Sequence, residues 1–357
     1  MRDRGFDFQV ASAPGPHLDE FCAAHDVEGH AIPMSRQITP RTDVAAVAHL
    51  VGVIRRIQPD IVHAHTPKGG LVGMIAAATA RVPVRIYHMR GLPYLTATGA
   101  MRRVLWGTES TSCGLAHRVI AVSDSLARAA QDARFVGASR IRVLAGGSSN
   151  GVDAHGRFDP ARAPSKETAR QKLGLDVGHD VVTYVGRLVG DKGIAELVEA
   201  WQQLRDRPGT TLFLVGPHEE RDALPNGLRE RISRDPTIVH LEFTEDMTSV
   251  YAASDVVVLP TYREGFPNVP LEAASMQLPV VTTDAVGACD SVVDGKTGAI
   301  VPVRDGRALG RAMARYLDDL ELRRSHGQAG RARVLESFLP ERIWSELHAE
   351  YEALLNP

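Results

Sequence analysis

The segment Tyr184-Val185-Gly186-Arg187-Leu188-Val189-Gly190-Asp191-Lys192-Gly193 puts a guanidinium and an ammonium five residues apart, in a glycine-flanked loop between a strand and a helix. Two cations and a helix N-terminus converging on one small volume suit a diphosphate. Arginine offers a planar fork to two phosphate oxygens, lysine a compact charge, and the first helical N–H groups add further donors. Spacing alone leaves open the plainer alternative of two cations on a solvated loop. A second segment, Glu264-Gly265-Phe266-Pro267-Asn268-Val269-Pro270-Leu271-Glu272, follows the apolar run Val256 to Leu259. Here Asn268 is expected to cap a helix, with Pro270 and Glu272 in its first turn. Two carboxylates do not favour a phosphate, but they accept hydrogen bonds from hydroxyls. A ligand with phosphate and polyol parts satisfies Arg187, Lys192, Glu264 and Glu272 together, and a nucleotide sugar is such a ligand. The alternative is that Glu264 is a surface residue and that Glu272 merely stabilises the helix dipole, by roughly 0.3 to 1 kcal/mol.

The elements that must position these groups read as short β-rich runs alternating with helical stretches, the pattern of βαβ units around parallel sheets. Strands are expected at Phe6 to Ala11, Ile61 to His65, Val84 to His88, Arg118 to Val122 and Ile141 to Leu144, with helices at Thr42 to Arg56, Leu71 to Ala80 and Ser125 to Arg134. A glycine- and proline-bearing stretch from Gly146 to Pro164 is the best linker candidate. The alternation then restarts, with strands at Val181 to Val185, Thr211 to Val215, Thr237 to Leu241, Val256 to Leu259, Val280 to Thr283 and Ala299 to Val303. Helices are expected between them at Gly193 to Arg205, Leu228 to Ser233, Ser249 to Ala253, Leu271 to Met276 and Ala308 to Leu317. The expected architecture is α/β, with two doubly wound domains at 1–155 and 156–338. A helix in 339–357 puts Ile343, Leu347, Tyr351 and Leu354 on one face and is expected to pack back across the domain junction. Ligands of such sheets bind beyond the carboxyl ends of the strands, so the cleft between the domains is the expected site.

Composition narrows the classes. At 357 residues, 44% hydrophobic and 24% charged, the chain is ordinary globular material, long enough for two cores. The 41 Lys+Arg against 43 Asp+Glu leave a net charge of −2, which gives no reason to expect nucleic acid as a partner. Three dispersed cysteines, Cys22, Cys113 and Cys289, have no ligand-like spacing and suit a reducing cytoplasm. Apolar runs are too short to cross a bilayer, and the start does not read as a secretory signal.

Together, Gly186-Arg187…Lys192-Gly193, the run EGFPNVPLE and Pro279-Val280-Val281 resemble the retaining glycosyltransferases of family 4, which have the GT-B fold. The resemblance extends over His63-Ala64-His65-Thr66-Pro67-Lys68, Val119 to Ser123, Asn150-Gly151-Val152-Asp153 and Asp294-Gly295-Lys296-Thr297-Gly298. Within the family the chain is most similar to transferases of surface polysaccharide and lipid-linked oligosaccharide synthesis. The resemblance implies that Arg187 and Lys192 hold the donor diphosphate and stabilise the leaving group. It implies that Glu264 contacts the donor sugar on the catalytic face, that Glu272 binds the ribose, and that Gly186 and the backbone of Phe266, Pro267, Asn268 and Val269 line the donor. No metal or other cofactor is implied, in keeping with the absence of an Asp-x-Asp from the sequence. The implied partners are a nucleotide-sugar donor, most simply uridine-based, and a glycan or polyprenyl-diphosphate-linked acceptor, with peripheral association at the inner membrane face. Another GT-B reaction, by an epimerase or phosphorylase of sugars, and an inactive truncated homologue are the rival readings.

Several positions depart from the family pattern. Residue 1 falls in what reads as a helix after the opening strand, so about 20 to 30 residues of the first domain look absent, or the domain lacks its first strand. Where many members carry a histidine before a glycine, this chain has Arg90 in Tyr87-His88-Met89-Arg90-Gly91, with His88 two residues earlier on the same strand face, so the catalytic role stays open between them. Gln277 replaces a usual glycine, which requires an outward side chain or a different turn; Val286, Cys289 and Asp290 also depart. His63 and His65 face one way at a strand end, but two ligands are not a metal site and no third stands at a recognisable spacing. Lys68-Gly69-Gly70 could meet an acceptor phosphate or be a plain βα turn, and Met101 to Trp106 reads as an amphipathic helix with an interfacial role as the alternative.

Overall fold

The computed structural model describes residues 4–35, 38–148, 150–219 and 224–356. The chain divides into two compact units, one of Met1–Val122, Leu126–Leu144 and Trp344–Pro357, the other of Ser123–Ser125 and Ala145–Ile343.

The first unit contains β1 (Val10–Ser12), β2 (Gly29–Ala31), β3 (Ile61–His65), β4 (Val84–Met89), β5 (Arg118–Ala121) and β6 (Ile141–Val143). The last four make a parallel sheet in the order β3-β4-β5-β6, and among the described residues β1 and β2 form a separate two-stranded parallel sheet. The expected strand Phe6 to Ala11 is met only at Val10 and Ala11, where β1 begins, Phe6 to Gln9 being irregular, and the expectation that residue 1 sits in a helix falls outside the described residues. One face of the four-stranded sheet is covered by the helices Pro40–Ile57 and Pro67–Thr79, whose Leu50, Val51, Ile54, Val72 and Ala76 pack together with Ile32. The other carries Val84, Ile86 and Ile120, on which Leu347, Tyr351 and Leu354 of the helix Pro340–Leu355 rest. The Arg118 Nε donates to Glu350 at 2.5 Å and ties that helix to the start of β5.

The second unit is a six-stranded parallel sheet of β7 (Asp180–Val185), β8 (Thr210–Val215), β9 (Ile238–Leu241), β10 (Val256–Leu259), β11 (Val280–Thr283) and β12 (Gly298–Val301). Its order is β12-β11-β10-β7-β8-β9. Val182, Tyr184, Leu212 and Leu214 pack toward Leu197, Trp201, Leu309 and Met313, whereas the alternate residues Val181, Phe213 and Val215 pack toward Ala169, Val250 and Ala253. Helices on both faces explain the continuous apolar strands, since each residue parity has its own core. The Gly146 to Pro164 stretch is no open linker. Val152, Ala154 and Phe158 are buried, and the Val152 N–H donates to Phe338 O at 2.8 Å, so it packs into the second unit. Gln277 resolves as the sequence requires on both counts: it is exposed, and its φ of 60° is left-handed.

Candidate active site

The strand order of the second unit reverses between β7 and β10, and sheets of this kind bind their ligands beyond the carboxyl ends of the strands at such a point. Val185 ends β7 and leads to the Arg187–Lys192 loop; Leu259 ends β10 and leads to the Glu264 loop. The two loops are tied together. The Tyr262 N–H donates to Asp191 O at 2.9 Å, and Arg263 Nη2 meets the Asp191 carboxylate at 2.9 Å. Gly193, at φ +68°, precedes the helix Ile194–Gln202, and any Cβ there would run into the Pro260 carbonyl. Only glycine lets the loops approach this closely.

Lys192 and Glu264 are brought into direct contact: Nζ lies 2.5 Å from Oε1, with the two side chains 16% and 18% exposed. Glu264 is held from behind, its N–H donating to Val286 O at 2.9 Å, and Gly287 leaves no room for a Cβ, which would sit 2.5 Å from the Glu264 carbonyl. Arg187 is exposed and pairs with Glu219 at 2.6 Å. The Tyr184 phenol donates to Arg187 O at 2.8 Å, and its pKa is pushed up by burial first and then by the charges of Glu264 and Asp191, so it stands between the two loops. Gly186 begins the loop, its N–H donating to Val215 O at 2.9 Å.

Glu272 does not join the Lys192–Glu264 pair in a direct contact. Its Oε2 accepts from the Tyr251 hydroxyl at 2.7 Å, and burial raises its pKa against the lowering effects of that hydrogen bond and of Arg157. The helix that carries it is Asn268–Ser275 with Pro267 at the cap position, so Asn268 is the first helical residue and not the expected cap. Phe266 is buried with its ring 5.4 Å from Phe338, Pro267 is buried, Val269 is half-buried, and the exposed Asn268 presents its side-chain amide. Asp290, one of the departures from the family pattern, accepts from Ser125 through N–H and hydroxyl, and so anchors a loop. Tyr184, Glu219 and Tyr251 lay outside the sequence reading. Tyr184 and Tyr251 look like core aromatics in apolar runs, and Glu219 stands in a loop with no pattern of its own.

In the first unit His88 is buried and Arg90 half-buried. The charge of Arg90 depresses His63, His65 and His88 in addition to the larger effect of their burial, so Arg90 lies beside all three. Sequence spacing supplied only two ring ligands. Strand pairing supplies a third, because parallel register sets His88 opposite His65, and one ring nitrogen from each of His63, His65 and His88 falls within 4.8 Å of the others. Lys68 is ion-paired with Asp43, and Lys68-Gly69-Gly70 is not a βα turn but the first turn of the helix Pro67–Thr79, where a Cβ on Gly70 would collide with the Tyr87 ring.

Two parallel α/β units, the second with a reversal of strand order between β7 and β10, define the class. The solved structure of HepE from Anabaena in complex with UDP superposes with a TM-score of 0.81 over 98% of this chain and 93% of that one, at 22% identity, and a glycosyltransferase from Rickettsia africae ESF-5 gives 0.81 over 99% and 92% at 20%. The fold is GT-B. The family model for Glycosyltransferase Family 4 matches residues 1–154 and that for Glycosyl transferases group 1 matches 165–333. The capsular polysaccharide biosynthesis glycosyltransferase CapM of Staphylococcus aureus is 33% identical over 99% of this chain and 92% of its own. The chain belongs to glycosyltransferase family 4, and is a glycosyltransferase. A further relative, at 27% identity over 80% of this chain and 73% of its own, is the UDP-Gal:alpha-D-GlcNAc-diphosphoundecaprenol alpha-1,3-galactosyltransferase of Escherichia coli.

Proposed function

We propose that this chain is a retaining transferase that moves a hexose or N-acetylhexosamine from a UDP-sugar to a glycan or polyprenyl-diphosphate-linked acceptor during surface polysaccharide synthesis. The observation that carries the reading is the Lys192–Glu264 contact at the switch point of the second unit, a cation for phosphate and a carboxylate for hydroxyls within 2.5 Å of each other. The donor assignment is supported by the UDP bound in HepE, and the acceptor class by the names of CapM and of the E. coli galactosyltransferase.

In this reading residues 156–338 hold the donor and 1–155 serve the acceptor. Lys192 and Arg187 leave their carboxylate partners for the two phosphates and neutralise the charge that develops as the C1–O bond to the diphosphate breaks, a task that needs no metal ion. Glu264 then turns to the hydroxyls of the sugar, and Glu272, kept in place by Tyr251, accepts from the ribose. Gly186 and the Phe266–Val269 backbone line the donor. The acceptor hydroxyl attacks the face from which the diphosphate departs, and His88 and Arg90 are the two candidates for a catalytic group from the first unit.

Among the described residues no helix is long and apolar enough to cross a membrane. Peripheral contact falls instead to the helix Gly99–Leu115, which exposes Met101, Val104 and Trp106 beside Arg102 and Arg103 and could meet an anionic surface. The test is donor hydrolysis against transfer. UDP should raise the melting temperature, and UDP-sugar should be consumed with a lipid-diphosphate glycan acceptor to give a product of unchanged anomeric configuration by NMR. No UDP-dependent shift removes the donor site, and an inverted product removes the retaining assignment.

A further inference from the structure

Three imidazoles share one face of the four-stranded sheet. His63 and His65 point the same way because they stand two residues apart on β3, and His88 on β4 is the register partner of His65. Ring centroids are 4.3 Å apart for His63 and His65, 4.9 Å for His65 and His88, and 5.1 Å for His63 and His88. Each ring keeps one buried nitrogen without a hydrogen-bond partner: His63 Nε2, His65 Nδ1 and His88 Nδ1. Bare buried nitrogens are rare, and three on adjoining rings are what one shared ligand would satisfy.

We propose that His63, His65 and His88 form a site for one borderline divalent transition-metal ion such as Zn²⁺ or Co²⁺. An all-imidazole donor set suits these ions and not Mg²⁺ or Ca²⁺, which take oxygen ligands. Tetrahedral coordination sets nitrogens roughly 3.4 Å apart. The three now lie within 4.8 Å of one another, so each ring must tilt inward by about an ångström. His63 already has the supporting contact that such ligands use: its Nδ1 lies 2.5 Å from the Tyr351 hydroxyl, and with Nδ1–H donating to that oxygen, Nε2 presents its lone pair. Neutral imidazole is the form that coordinates such an ion, and a water or anion from solvent would complete the tetrahedron. The ion would join β3 to β4 and, through Tyr351, to the helix Pro340–Leu355.

The test uses the full chain without an affinity tag, stripped with chelator and titrated with Co²⁺ and then Zn²⁺, read by visible absorption and calorimetry. The expected result is one Co²⁺ per chain with the d–d bands of tetrahedral coordination, bleached as Zn²⁺ replaces it. His65→Asn and His88→Asn should each abolish the bands, while Tyr351→Phe should keep them and weaken affinity by about 10- to 100-fold. His240→Asn in the second unit is the control and should bind as the parent does. Should His88→Asn fail to fold, the half-buried His65 decides the matter alone. A parent chain that takes up no stoichiometric ion, or a His65→Asn chain that binds as well as the parent, overturns the proposal. Both outcomes are independent of UDP binding by the second unit.

Discussion

Replacing Lys192 by alanine should separate two roles of one side chain, the ion pair with Glu264 and the phosphate contact proposed above. The ammonium sits 2.5 Å from Glu264, and both side chains are less than one-fifth exposed. Stranding one partner of a fully buried pair costs about 3–5 kcal/mol, whereas an exposed pair is worth about 0–1. At this exposure the loss of stability should be about 1–3 kcal/mol, a fall in Tm of several degrees. The same change removes a charge-assisted hydrogen bond to the donor diphosphate, about 1.5–3 kcal/mol, so UDP should bind roughly 10- to 150-fold more weakly. Adding Glu264→Gln to Lys192→Ala removes the stranded charge. The double variant should therefore regain most of the Tm and little of the UDP affinity. Differential scanning calorimetry and isothermal titration on parent, single and double variants make the comparison. If Lys192→Ala binds UDP as the parent does, or if the double variant regains affinity together with Tm, the lysine does not hold phosphate and the reasoning is wrong.

Burial pushes the Glu109 carboxyl up to about 7, against the lowering effect of the hydrogen bond donated by Tyr87 at 2.8 Å. The folded state thus holds this proton more tightly than the unfolded chain, and the stability it provides is complete at acid pH and lost as pH rises through 7. Glu109→Gln should exceed the parent by up to about 3 kcal/mol at pH 8 and by almost nothing at pH 4, so an equal Tm difference at both would refute the shift. Gly193→Ala, with φ +68° and a Cβ driven into the Pro260 carbonyl, should cost at least about 1–3 kcal/mol and impair UDP binding; a Tm within a degree of the parent would show that the loops can part freely. Tyr251→Phe takes a donor from the buried Glu272 and should weaken UDP binding by about 5- to 10-fold, checked by titration, with unchanged affinity detaching Glu272 from the ribose.

The sequence made the sheets legible because their strands are apolar runs bounded by turns: β3, β7, β10 and β11 fall where Ile61 to His65, Val181 to Val185, Val256 to Leu259 and Val280 to Thr283 were expected. The helix Leu320–Ser337 was not legible. It packs through Gly327, where a Cβ would strike the Gln277 carbonyl, and Gly330, where a Cβ would sit 3.1 Å from the Ala274 methyl, and glycines in a polar run read as interruptions. The helix Pro16–His25 buries Leu18 alone, too little for a periodic signal. Local spacing put Lys192 and Glu264 on two loops that the structure brings into contact, but the partners that hold the residues in place, Tyr251 for Glu272 and Glu219 for Arg187, come from sequence-distant elements. The third imidazole was hidden for the same reason: strand register, which aligns His88 with His65, is a property of the sheet and not of either strand.

The acids around the switch point bear on how a donor arrives. Arg187 faces Glu219, Lys192 faces Glu264 and Arg263 faces Asp191, so each of these cations already has an anion at hand. A mouth compensated in this way projects little field into solvent, and a nucleotide approaching it feels almost no long-range pull. Capture then depends on partner exchange after collision. Added salt should accordingly slow encounter far less than it would at an uncompensated basic pocket, while the acids keep unrelated polyanions from lodging there between turnovers.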